Sequence, residues 1–108
     1  MAYYLFQAAY TTEAWAAQLK NPQNRVERVR SALEELGGTI EDAWLSFGEY
    51  DVLVICQAPD RLTQAAFAMA AAAAGHLKSV KTTPLLTIDE GMAAMQKAGA
   101  VAYPLPES

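Results

Sequence analysis

The sequence predicts an α+β domain of the βαββαβ type: a four-stranded antiparallel sheet, helices on one face, and a short extra helix at the C-terminus. The chain has 108 residues, which suits one domain. Short aromatic and β-branched runs alternate with segments of helical periodicity. Their order is strand, helix, two closely spaced strands, helix, strand. With right-handed crossovers, this order places both helices on the same side of the sheet.

The first half of the chain supplies one strand and two helical segments. Residues 3–10 are apolar and aromatic, as is typical of a strand, and Thr11 or Thr12 is expected to cap a short helix over residues 13–19. Asn21 and Pro22 predict that the next helix begins at Pro22. Its buried stripe has apolar residues three or four apart, and a glycine pair ends it: Val26, Val29, Leu33, Leu36, then Gly37 and Gly38.

A hairpin is predicted in the middle of the chain. Residues 39–47 and 50–57 resemble strands, with only Gly48 and Glu49 between them. Glycine at the first position of a two-residue connection predicts a type II′ turn. The second run is dense in β-branched residues and lacks clean alternation, so we expect it to be buried on both faces, at the centre of the sheet.

The second half predicts a helix, an edge strand and a terminal helix. Asp60 is the expected N-cap of an alanine-rich helix that ends at Gly75, and alanine permits very close packing. Residues 79–87 form a strand in which Pro84 requires an edge or a bulge. Thr87 and Glu90 form a capping box before a short helix. We therefore expect a domain over residues 1–98 and an irregular tail over 99–108.

Both faces of the predicted sheet are apolar. Side chains alternate along a strand, so Phe6 and Leu5 face opposite sides, as do Val54 and Ile55. The helices can cover only one of these faces. A soluble monomer does not leave so large an apolar surface in water. We therefore expect a homo-oligomer, a dimer or larger, whose copies cover the second face or enclose a cavity there.

Charge and composition exclude several partners. The net charge is −4 and only eight residues are basic, whereas a nucleic-acid-binding face is densely positive. The single cysteine allows no intrachain disulfide, and no apolar run is long enough to span a bilayer. The N-terminal residues lack a signal-peptide pattern. We expect a cytoplasmic protein that binds neither nucleic acid nor membrane.

Three residues are candidates for acid–base chemistry: His76, Asp51 and Tyr50. The alternative for Asp51 is that it fixes the start of a strand through hydrogen bonds. His76 follows the alanine-rich helix, where a cation also suits the helix dipole. Cys56 lies in the most apolar strand and is expected to be an inert packing residue.

A ligand site is predicted from polar and aromatic residues in apolar strands. Gln7 and Gln57 can converge on one sheet face, where Lys81 can join them. Aromatic residues can line the same pocket, although core packing is the competing interpretation for most of them. The predicted ligand-binding residues are Tyr4, Gln7, Trp44, Gln57 and Lys81. No metal-ligand spacing or cofactor motif is visible, so neither is expected.

An ordered set of short motifs resembles the GYD-domain family of small bacterial and archaeal proteins. The family's characteristic motif is matched by Gly48-Glu49-Tyr50-Asp51. The resemblance covers nearly the whole chain, to about residue 98. It includes the tyrosine-rich first strand, Asn21-Pro22, Leu36-Gly37-Gly38 and Ala58-Pro59-Asp60. The resemblance implies a ferredoxin-like fold of the kind found in dimeric α+β barrels. It implies no catalytic residues.

Three functions are compatible with this sequence. The first is a self-associating domain that binds a small, partly apolar molecule between the sheet and a second subunit. The second is a cofactor-independent monooxygenase or isomerase, which rests on analogy with similar barrels. The third is a structural assembly module with a filled interface.

Overall fold

The computed structural model describes residues 1–102, 104 and 106 and confirms the α+β, ferredoxin-like fold. The first crossover contains two helices, matching the two helical segments predicted there. In chain order the elements are β1 (Ala2–Tyr10), α1 (Thr12–Lys20), α2 (Val26–Glu35), β2 (Thr39–Leu45), β3 (Val52–Ala58), α3 (Arg61–Ala73), β4 (Leu77–Leu85) and α4 (Ile88–Gly99).

The four strands form one antiparallel sheet in the order β2-β3-β1-β4. The β-branched strand β3 lies inside the sheet, as predicted. Pro84 lies in β4, which is an edge strand, so its missing N–H removes no bond from an inner ladder. In register, Leu5 is opposite Ile55 and Gln7 is opposite both Leu53 and Lys81.

Local capping signals place most helix ends correctly. The Thr11 hydroxyl accepts a hydrogen bond from the Ala14 N–H at 3.1 Å. Asp60 caps α3, and the capping box between Thr87 and Glu90 is complete. Gly37 follows the end of α2 with φ of 90°, in the left-handed region that glycine enters without steric cost. Each of these interactions involves residues close in sequence, which is why the sequence predicted them.

The predicted start of α2 at Pro22 is wrong. The helix begins at Val26, and the Asn24 side chain accepts a hydrogen bond from the Val26 N–H at 3.1 Å. The cap predicted at Asn21 instead lies at the end of α1, where the Asn21 N–H bonds to the Ala17 carbonyl. Asn21 therefore ends one helix and does not begin the next.

The predicted two-residue hairpin turn is also wrong. β2 ends at Leu45 and β3 begins at Val52, so residues 46–51 form a longer loop. Gly48 does not have a positive φ, which a type II′ turn requires at its first central residue. The Ser46 N–H donates to the Asp51 carbonyl, and the Asp51 N–H donates to the Ala8 carbonyl of β1. Asp51 thus pairs with β1 beyond the end of β3, which widens the loop.

The core lies between the sheet and the helices. Tyr4, Phe6, Val54 and Cys56 are at most 5% exposed and pack with Leu33 of α2 and Phe67 of α3. The rings of Phe6 and Phe67 meet edge to face, with centroids 5.0 Å apart. The helix-covered face of the sheet is therefore the folded core of this chain.

Helix α4 packs little against the other described residues. None of its residues is buried, and Ile88, Met92 and Met95 are 82%, 54% and 72% exposed. The Cα radius of gyration is 17.5 Å, against about 13 Å for a compact domain of this length. The division into residues 1–98 and a tail stays a prediction, since positions 103, 105, 107 and 108 lie outside the described residues.

Candidate functional site

The sheet has a second face that no helix of the described residues covers, and we call it the open face. Strand register places these residues on it: Tyr3, Leu5, Gln7, Trp44, Leu53, Ile55, Gln57, Lys81, Thr83 and Leu85. Along β3, buried residues alternate with half-buried residues, and the half-buried ones belong to the open face. The expectation that β3 is buried on both faces is therefore not met within a single chain.

A pocket of about 390 Å³ lies on the open face beside the β2–β3 loop, and we call it the loop pocket. Its floor is Leu53, and the paired residues Gln7 and Lys81 form one side. The loop supplies the remaining wall: Ser46, Phe47, Gly48, Glu49 and Tyr50. A few polar groups therefore surround a small apolar floor, as in many ligand pockets.

Tyr50 and Glu49 are neighbours at this pocket. Desolvation, together with the Glu49 carboxylate, raises the pKa of Tyr50 above its ordinary value. The phenol therefore remains protonated at neutral pH. Tyr50 can act here as a hydrogen-bond donor, and it is a poor candidate for a general base.

Asp51 has the structural role that was the alternative to catalysis. Its Oδ2 accepts a hydrogen bond from the Tyr10 N–H at 2.8 Å and one from Trp15 Nε1 at 3.3 Å. The carboxylate therefore joins the loop to the end of β1 and to α1. Both interactions span more than 30 residues of sequence, so Asp51 fixes tertiary structure.

The predicted ligand-binding residues do not all come together. Gln7 and Lys81 are paired neighbours, but Gln57 is opposite Tyr3 near the other end of β1 and donates to Glu41 Oε1 at 2.7 Å. Trp44 is on the open face of edge strand β2 and is 62% exposed. Tyr4 faces the helices and is 5% exposed, so it belongs to the core.

The three acid–base candidates are also separated. Tyr50 lines the loop pocket, Asp51 holds β1 and α1, and His76 lies on the helix side of the sheet. Cys56 is fully buried, with its sulfur 3.5 Å from Gln64 Oε1, and burial raises the pKa of its thiol. Among the described residues, no three His, Cys, Asp or Glu side chains are grouped to hold a metal ion.

A larger cavity of about 830 Å³ lies between the sheet and the helices, and we call it the helix cleft. The alanine-rich helix does not pack as closely as its composition suggested. Ala70 and Ala71 of α3 and its C-cap residue Ala74 line the cleft together with residues of α1 and α2, and their small side chains leave the space open. The sequence signal for this cavity was present in the alanines, but it was interpreted as close packing.

Comparison with known proteins identifies the family. The model of the GYD domain matches residues 4–95, so the chain belongs to the GYD-domain family. No curated protein matches the chain. Among the residues that the structure describes, no helix is both long and apolar enough to cross a bilayer.

Two solved structures are similar to this chain. The crystal structure of FFRP-DM1 matches this chain with a TM-score of 0.51 at 13% identity. The match covers 80% of this chain and 100% of that chain. A hypothetical protein from Pyrococcus horikoshii has a TM-score of 0.52 at 12% identity, covering 81% of this chain and 92% of that one. At such low identity the similarity concerns the fold alone.

Proposed function

We propose that this member of the GYD-domain family is a self-associating domain that binds a small, partly apolar molecule in the loop pocket. Two copies pack with their open faces together, and the partner closes the pocket. The observation that carries the proposal is the apolar open face. Leu5, Leu53 and Ile55 lie together on the inner strands of that face and are only half buried within one chain.

The open face and helix α4 together approach the area that a stable interface needs. Four strands about 4.8 Å apart and about 26 Å long give a projected area of about 500 Å². Helix α4, with 12 residues, adds a surface about 18 Å long. Stable dimers bury about 800 Å² of accessible surface on each partner, and accessible area exceeds its flat projection. The sheet and α4 together thus supply an area of the required order.

The exposed apolar residues of α4 support the same proposal. Ile88, Met92 and Met95 recur four and three residues apart, so they lie on one side of the helix. Within the described residues, its own chain buries none of these three side chains. A second copy supplies an apolar surface of matching character.

The loop pocket supports binding of a small molecule. Its volume of about 390 Å³ lies within the usual range of ligand sites, about 300–1,000 Å³. The Lys81 ammonium and the Gln7 amide can hold a carboxylate or carbonyl oxygen, while Leu53 and Phe47 contact the apolar part. Phe47 is fully exposed in one chain, so closure by a partner would shield it from water.

Light scattering coupled to size exclusion tests self-association. The wild type is expected to be a dimer or larger at micromolar concentration, and Ile55→Asp is expected to be a folded monomer, because the charge lies on the open face. Leu19→Asp is the matched control, since Leu19 is 76% exposed on α1, away from the open face. A monomeric wild type, or an associated Ile55→Asp, contradicts the proposal.

A further inference from the structure

The helix cleft has the size and lining of a second ligand site. Its volume of about 830 Å³ is near the upper end of the range for small-molecule pockets. The sheet contributes Phe6, Val52 and Val54, and α3 contributes Phe67 and alanines. Such a lining favours the apolar body of a ligand. The cleft is on the opposite side of the sheet from the loop pocket, so the two sites are independent.

Within the described residues, two buried hydrogen-bond donors in the cleft wall have no partner. They are Nε of Arg25 and Nε2 of Gln18, and both residues line the cleft. A buried donor without a partner costs free energy, and a charged one costs more. Both atoms need an acceptor, and the guanidinium favours one that carries negative charge.

Tyr10 adds a third polar group to the lining of the cleft. Burial raises the pKa of the Tyr10 phenol, the positive charge of Arg25 acts against that rise, and the negative charge of Asp51 adds to it. Tyr10 also lines the cleft, so its hydroxyl can donate to the group that Arg25 holds.

The other charged groups around the cleft do not change this preference. Glu13, Glu35 and Arg28 line it but are exposed, so water screens them. His76 is exposed at the end of the cleft beside Leu77. Arg25 is only partly exposed and is the charged side chain with an unpaired buried donor.

We propose that the helix cleft binds an amphipathic monocarboxylate, with its carboxylate on Arg25, Gln18 and Tyr10 and its apolar chain or ring against the alanines of α3. This site goes beyond the proposed function, because it requires neither the open face nor a second copy. The carboxylate supplies the acceptors that the buried donors lack. The apolar body fills the space that the alanines leave.

Isothermal titration with decanoate, decanol and decylamine tests this site, at concentrations below micelle formation. One decanoate per chain is expected to bind at least about tenfold more tightly than decanol, because charge-assisted hydrogen bonds hold the carboxylate. Decylamine is expected to bind more weakly than decanol. Arg25→Gln should bring decanoate down to the affinity of decanol while leaving decanol unchanged.

Filling the cleft provides the second test. Ala71 is half buried and packs against the core, so Ala71→Phe places a ring in the cavity and should abolish binding of both decanoate and decanol. Ala72→Phe is the matched control, because Ala72 is exposed on the same helix and does not line the cleft. If circular dichroism shows that Ala71→Phe is unfolded, the smaller Ala71→Leu replaces it. Ala71→Leu is expected to weaken the affinity for decanoate and decanol at least about tenfold.

Several results would overturn the assignment. The assignment is contradicted if decanoate binding does not saturate, or if decylamine binds as tightly as decanoate. It is also contradicted if decanoate binding survives both Arg25→Gln and a folded Ala71 variant. Decanoate binding lost in Lys81→Gln but kept in Arg25→Gln would place the carboxylate in the loop pocket. That outcome overturns the helix-cleft site while leaving the proposed function standing.

Discussion

The two faces of this sheet have similar apolar strands but different surroundings. On the helix-covered face, Phe6 and Val54 are at most 3% exposed. Both belong to the core formed with α2 and α3, and both line the helix cleft. On the open face, their neighbours Leu5 and Ile55 are only half buried. The difference teaches that apolar character alone does not identify the core of a single chain. Only the positions of the helices separate the residues of the folded core from those left half buried in one chain.

The strongest test of this comparison places the same charge on each face of β1. Phe6→Asp removes a buried ring and buries a carboxylate, so it should cost more than about 4 kcal/mol and prevent folding. Leu5→Asp puts the carboxylate on the open face, so the chain should fold as a monomer. Circular dichroism and urea unfolding measure the contrast. A folded Phe6→Asp, or an unfolded Leu5→Asp, would break the distinction between the faces.

A smaller loss of stability is expected when the link between the β2–β3 loop and α1 is removed at Asp51. Asp51→Ala removes the acceptor of the Tyr10 N–H and of Trp15 Nε1, and should lower the free energy of unfolding by about 1.5–3 kcal/mol. Asp42→Ala is the control, since Asp42 accepts only from the adjacent Ala43 N–H in an exposed position, and it should change stability by less than about 0.5 kcal/mol. If both variants lower the free energy of unfolding equally, the hydrogen bonds of Asp51 do not stabilise the fold as we expect.

The smallest predicted effect compares two glycines. A Cβ at Gly38 would lie 2.7 Å from the Gln57 carbonyl oxygen and 2.8 Å from Leu33, so Gly38→Ala should cost about 1–3 kcal/mol. A Cβ at Gly48, in the family motif, would contact nothing within 4 Å. Gly48→Ala should therefore change the urea midpoint little. A larger loss at Gly48 would show that the motif glycine is needed for the fold.

Local signals in the sequence predicted much of this fold. The caps at Thr11, Asp60 and Thr87 depend on contacts within a few residues, and the β-branched run of β3 predicted an inner strand. The hairpin was mispredicted because the Asp51 N–H pairs with the Ala8 carbonyl of β1, which is distant in sequence, and not within a tight two-residue turn. No short-range pattern contains that information.

The candidate site was less predictable because it depends on register and on helix spacing. Gln7 and Lys81 were correctly grouped, but the register places Gln57 near the other end of the strands and Tyr4 on the other face. Arg25 and Gln18 had not been considered for binding. Their unpaired donors become visible only once α1 and α2 are placed against the sheet.

Fluorescence of Trp44 tests the central claim most directly, because this residue lies on the open face and is 62% exposed in one chain. In Trp15→Phe, Trp44 is the only remaining tryptophan. The account predicts that its emission shifts to the blue and that acrylamide quenching falls as protein concentration rises through the micromolar range. Leu5→Asp in the same background should abolish that dependence. Trp44 that stays equally accessible to acrylamide at every concentration would contradict an open face covered by a second copy.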